Sequence, residues 1–117
     1  MFSKLDNLKW HDGVLLELRQ RFPEGKRSPA TVVLTVSLFR GQETRKRTIF
    51  CLTFSDVRRI AHVIDAVELA DNAVAGNIID AAWSKKKGKA QHFIMRLYDG
   101  YIEIVSTKVT IRQPCAL

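Results

Sequence analysis

Much is excluded by what this chain does not contain. No window reaches 18 consecutive apolar residues, so no membrane-spanning helix is expected. The opening MFSKLDNLKWHD has neither an apolar h-region nor a small-residue cleavage site, and no signal peptide is expected. There are only two cysteines, Cys51 and Cys115, and they form no metal spacing with each other or with His11, His62 and His92. HExxH, CxxC and an EF-hand loop are absent, so neither a metal nor a cofactor is expected. GxSxG is absent, and KKKGK lacks the GxxxxGK[ST] frame of a phosphate-binding loop. RNA-binding signatures of the RNP1 and KH types are missing too. Cys51 lies in an apolar run and is expected to pack as a small hydrophobe. Cys115 is expected to be exposed near the end of the chain. A disulfide between them is the lesser reading, and the expected location is cytoplasmic.

What is present fits one domain, residues 1–117, with 46% hydrophobic residues and enough chain to bury a core. GVLLELRQRF alternates Val14, Leu16, Leu18 and Phe22 with Leu15, Glu17, Arg19 and Arg21, the period of a strand with one buried face. PEGKRSP breaks that pattern. ATVVLTVSLFR then puts Ala30, Val32, Leu34, Val36 and Leu38 on one face. GQET connects it to RKRTIFCLTF, rich in β-branched and aromatic residues.

Next the spacing changes. In SDVRRIAHVIDAV, Ser55 is a good N-cap, and Val57, Ile60, Ala61, Ile64 and Val67 form one helical stripe. The acidic residues Asp65, Glu68 and Asp71 suit a helix C-terminus poorly, so LADNAVAGN is expected to be its frayed end or a loop. Period two returns in NIIDAAWS, in AQHFIMRLY with Phe93, Met95 and Leu97 on one face, and in YIEIVSTKVTIRQ, broken near Thr107. Asp99–Gly100 reads as the two central residues of a hairpin turn. The expected fold is therefore α+β: a mainly antiparallel sheet of about six strands, ordered β-β-β-α-β-β-β, with one principal helix packed on it.

Trp10, His11, Asp12 and Gly13 stand side by side before the first apolar run. Neighbours in an extended chain point to opposite faces, so His11 and Asp12 are not expected to pair. The stretch reads as a turn, with Trp10 anchoring one end of the core. Asp80 and Asp99 read as a strand-edge and a turn residue, and no catalytic residue is assigned.

Charge is the more informative feature, +7 overall. Twelve of the nineteen basic residues lie in three clusters: Arg19, Arg21, Lys26 and Arg27; Arg40, Arg45, Lys46 and Arg47; Lys85, Lys86, Lys87 and Lys89. Residues 56–80 hold five acids against Arg58 and Arg59, so a basic sheet region and an acidic helix region are expected. In a meander the first two clusters should fall at opposite ends of the sheet. Basic strand ends also keep sheet edges soluble. If they bind, the candidate residues are Arg45, Lys46, Arg47, Lys85, Lys86 and Lys87, with Phe39 and Trp83 as aromatics for stacking on bases. Both faces of the central strands carry apolar residues (Phe39, Ile49 and Cys51 on the second), which suits coverage by further strands or by a second subunit.

The WHDG opening, LTFSDV, GNIIDA and YDGYIEI together resemble a loose group of small bacterial α+β proteins without assigned function, some of them immunity-type proteins that neutralise a partner toxin. The resemblance implies a non-enzymatic domain that works by binding, and it carries over no catalytic residue. A basic member of such a group would meet a different partner from the acidic ones that block nucleic-acid sites. The expected function is thus protein binding, through a partner or a homodimer. The alternative is nucleic-acid binding through basic hairpin loops.

Overall fold

A computed structural model describes residues 8–25, 29–40, 46–85, 88 and 90–113; of Arg40 only the backbone is described. The strands are β1 (Leu8–Arg21), β2 (Ala30–Arg40), β3 (Arg47–Val63), β4 (Ile78–Lys85), β5 (Gln91–Leu97) and β6 (Gly100–Arg112). Between β3 and β4 lies a six-residue helix, α1 (Ala66–Asp71). All strand pairs are antiparallel, in the order β1-β2-β3-β6-β5-β4. Two meanders, β1-β2-β3 and β4-β5-β6, are joined through the long β3–β6 ladder. The sheet curls until its two edge strands meet, where Asn77 N–H donates to Gly13 C=O at 2.9 Å.

The α+β expectation is wrong: the described chain is nearly all antiparallel β, and the stretch read as a helix is the second half of β3. The reason lies in two irregularities. Val32 pairs with Phe54 while Ala30 pairs with Val57, so β3 carries one extra residue between them. A second extra residue separates Val57, opposite Ser106, from Arg59, opposite Val105. Each bulge lengthens the inward repeat from two residues to three. The inward set thus runs Phe50, Leu52, Phe54, then Val57 and Ile60. Two bulges in succession imitate the i, i+3 stripe of a helix. Val57, Ile60 and Val63 are β-branched, which favours the extended form once β6 supplies a ladder.

The helix that does form starts ten residues later than expected. The Asp65 side chain caps it by accepting from Val67 N–H at 3.1 Å and Glu68 N–H at 3.0 Å. It buries no residue fully and only its Leu69 touches the core, so it is not the layer that covers the sheet. The curled sheet covers itself. Its core is one cluster that includes Leu34, Val36 and Leu38 of β2, Phe50, Leu52 and Phe54 of β3, Phe93 and Met95 of β5, and Ile102 and Ile104 of β6. Phe93 is the centre of an aromatic group, 4.4 Å from Trp83, 5.2 Å from Phe54 and 5.8 Å from Trp10, ring centre to ring centre. Each such ring contributes about 1.5–3 kcal/mol through burial.

Alternation held for β2 and β5 and only in part for β1, where Val14 is buried and Leu18 packs on the core as expected. A bulge between Leu15 and Glu17 interrupts its parity, so Leu15 turns inward while Leu16 and, beyond the strand, Phe22 are exposed. The last hairpin is displaced by one residue from its expected place. Leu97 pairs with Gly100, so Tyr98 and Asp99 form the loop, and Asp99 takes the left-handed conformation at φ 56°. Gly100 serves a close approach instead: a Cβ there would lie 2.2 Å from the Val63 carbonyl oxygen.

Among the described residues no helix is long and apolar enough to cross a membrane. Cys51 is disulfide-bonded, which overturns the free-thiol expectation. The other cysteine of the chain, Cys115, lies outside the described residues.

Candidate binding cleft

WHDG is not the start of a strand but an irregularity within β1. Lys9 pairs with Phe39 and Val14 with Ser37, so residues 10–13 leave the β1–β2 ladder as one wide bulge. Asp12, at φ 65°, turns the chain there. That turn defeats the opposite-face expectation, and His11 Nε2 comes within 3.6 Å of Asp12 Oδ2. Both side chains are exposed and His11 Nδ1 lies 3.0 Å from the Ile79 carbonyl, so the pair serves the seam between β1 and β4. Asn77 closes that seam. Its side chain accepts from Leu15 N–H at 2.8 Å and donates to Leu69 C=O at 3.1 Å, and its own carbonyl accepts from Tyr98 N–H at 3.3 Å. With 1% of its surface exposed, it meets its hydrogen-bonding needs inside the protein.

Arg47, one of the residues predicted to bind, is part of the same seam. It donates to Asp12 C=O at 3.2 Å and to Val74 C=O at 2.9 Å, and its guanidinium lies 4.9 Å above the centre of the Phe39 ring. Arg47 thereby covers one face of Phe39, and Trp83 packs with Phe54 and Phe93. Lys46 and Lys85 are exposed, whereas Arg45, Lys86 and Lys87 lie outside the described residues. The β1–β2 register sets Arg21, opposite Thr31, and Leu8, opposite Arg40, at opposite ends, as a meander requires. β4 runs antiparallel beside β1, Asn77 by Gly13 and Ile79 by His11, so Lys85 lies toward the Leu8 end, where β3 begins.

At the other end the strands leave a cleft of about 230 Å³. It opens where β1 runs out, β2 begins and β3 bulges. Phe22, Ala30, Val32, Val57 and Ile60 give it an apolar lining, and Gln20, Arg21, Thr31, Arg58 and Arg59 give it a polar one. A hollow of about 430 Å³ beside it shares Gln20, Arg21 and Thr31 and adds Arg19 and Val33. Gln20 Nε2 lies 2.9 Å from His62 Nε2, tying the end of β1 to the far part of β3.

The arginines differ in how far they are already engaged. Arg58 Nη2 donates to Asp56 Oδ2 at 2.9 Å, and Thr107 Oγ1 donates to the same oxygen at 2.9 Å. These bonds, Arg58 first, hold the Asp56 carboxyl below its ordinary value of 3.8. Arg19 Nε pairs with Glu17 Oε1 at 2.9 Å, whereas Arg21 reaches Glu24 only at 3.9 Å. Arg59 has no carboxylate partner among the described residues. The sequence reading put Arg58 and Arg59 in an acidic helix region. The β3 bulges instead bring them to the basic end of β1, and only strand pairing could have revealed that. Outside the cleft, a further ion pair joins Arg96 to Asp80, with Nε to Oδ1 at 2.8 Å; it lowers the Asp80 pKa and raises that of Arg96.

No group of three or more His, Cys, Asp or Glu residues placed to hold a metal ion occurs among the described residues. Comparison with family models, with curated proteins and with solved structures gave no match.

Proposed function

We propose that this chain is a non-enzymatic binding protein that docks an acidic segment of a protein partner at the basic end of its curled sheet. The observation that carries this reading is the gathering of Arg21, Arg58 and Arg59 around one apolar-floored cleft, with Arg19 beside it. Guanidinium groups present planar, permanently charged donor forks that match carboxylates. Arginine and glutamine supply no general base near neutral pH, the pairs His11–Asp12 and His92–Glu103 do not line the cleft, and the histidine beside it, His62, has its Nε2 2.9 Å from Gln20 Nε2 and is not itself part of the lining. An immunity-type role is one binding function of this kind. The test is fluorescence anisotropy of a labelled glutamate-rich peptide titrated with the full chain at rising salt. Saturable binding that is lost in the double variant Arg21→Glu, Arg59→Glu supports the proposal; binding that ignores the double substitution refutes it.

A second reading, nucleic-acid binding, rests on Lys46 and Lys85 lying toward one end. It predicts duplex DNA binding that weakens with salt by a slope near −0.9 per phosphate contact. It also predicts that the Arg21 and Arg59 substitutions leave that binding intact.

A further inference from the structure

We infer that the cleft selects its acidic segment through one apolar side chain, seated among Phe22, Val57 and Ile60, with flanking carboxylates held by Arg21 and Arg59. This deepens the proposed function and rests on it. The apolar-floored cleft, about 230 Å³, has room for one large side chain, and the contiguous hollow of about 430 Å³ has room for the neighbouring residues of a longer ligand. The cleft's floor is apolar and its cations stand at the rim. A bare phosphate chain would satisfy the rim and leave the floor empty. Phe22, 68% exposed, is a large ring with no partner layer of its own among the described residues, and it stands at the mouth of this cleft. The adjoining hollow, with Arg19 and Arg21, continues the surface along β1 and β2, where the rest of an extended segment can lie.

The rim arginines have separate roles. Arg58 is held by the Asp56 carboxylate, itself fixed by Thr107, and Arg19 is held by Glu17. To bind a ligand carboxylate they would have to share or release a partner at 2.9 Å. Among the described residues, Arg59 and the loosely paired Arg21 have no such competitor at close range. The ligand is therefore read by Arg21 and Arg59, and Arg58 is a positioning residue for the bulge.

The experiment uses the full chain and three labelled probes: a glutamate-rich peptide with a single central leucine, the same peptide with alanine at that position, and a single-stranded oligonucleotide of equal charge. The leucine peptide should bind about tenfold more tightly than the alanine peptide. Arg21→Ala and Arg59→Ala should each weaken it about tenfold, and Arg58→Ala by less than about threefold. Phe22→Ala should remove the leucine preference, and Phe22 is exposed enough for the fold to survive, as an unchanged urea midpoint would show. Equal affinity for the two peptides overturns the anchor and leaves the acidic-partner reading standing. No binding of either peptide, or tighter binding of the oligonucleotide, overturns both. Equal losses in the Arg58 and Arg59 variants overturn the division of roles.

Discussion

The Arg47 guanidinium donates to the Asp12 carbonyl oxygen at 3.2 Å and so ties the first residue of β3 to the wide bulge of β1. With its second bond, to Val74 C=O, and the Phe39 ring below it, this cation acts as an internal brace, though it belongs to a basic cluster. Arg47→Ala should lower stability by about 1.5–3 kcal/mol, the usual range for hydrogen bonds to a charged group. Urea denaturation measures this. Substituting the neighbouring exposed Lys46 should leave the midpoint unchanged.

Asn77 is the other brace of the seam. Asn77→Ala would leave Leu15 N–H without its acceptor and Leu69 C=O without its donor. The expected loss is about 2 kcal/mol or more, because stranded buried groups cost more than an average hydrogen bond contributes. Amide exchange at Leu15 should rise well above that of the β2–β3 ladder.

Phe93 touches both tryptophans. Phe93→Ala should cost about 3–5 kcal/mol and open a cavity among Trp10, Phe54 and Trp83. Near-UV circular dichroism should lose the tryptophan signal of the folded state before far-UV strand signal disappears.

Two carboxylates make stability sensitive to acid. Asp56 is lowered by hydrogen bonds from Arg58 and Thr107, and Asp80 by its bond from Arg96. A depressed folded-state pKa contributes stability that is present above the unfolded value of 3.8 and is lost as pH falls through the folded value. Thermal melts should therefore fall off below about pH 4. Asp80→Asn should flatten part of that fall, and the same melts near neutral pH should show a small effect, since the pair is largely exposed.

Cys51 is disulfide-bonded, so a reducing agent should lower stability by about 2–4 kcal/mol. Cys51→Ser should show the same loss and no further response to reductant. Equal melts with and without reductant in the parent chain would contradict the bond.

The strands that were legible were those with strict alternation. In β2, Val32, Leu34, Val36 and Leu38 are all at 2% exposure or less, and Phe93, Met95 and Leu97 of β5 share the inward face as their spacing implied. Alternation failed as a guide wherever an aspartate takes a left-handed turn. Asp12, Asp56 and Asp99 all have positive φ, and each sits at a misread element: the WHDG bulge, the false helix, and the displaced hairpin. Asp tolerates that conformation but does not announce it, since it is equally common as a cap or in an ordinary turn. The candidate cleft was half legible. Arg19 and Arg21 stood out as a basic cluster, while Arg58 and Arg59 were assigned to the wrong element.

The residues by themselves determined the strand-forming segments other than the second half of β3, the inward faces of β2 and β5, and the excess of positive charge, because each is a local property of composition or period. Only the tertiary structure decided that residues 57–63 are strand, that the sheet covers its own core, and which arginines share a cleft. A bulge is one residue more on one strand than on its neighbour, so it has no existence until two strands are paired.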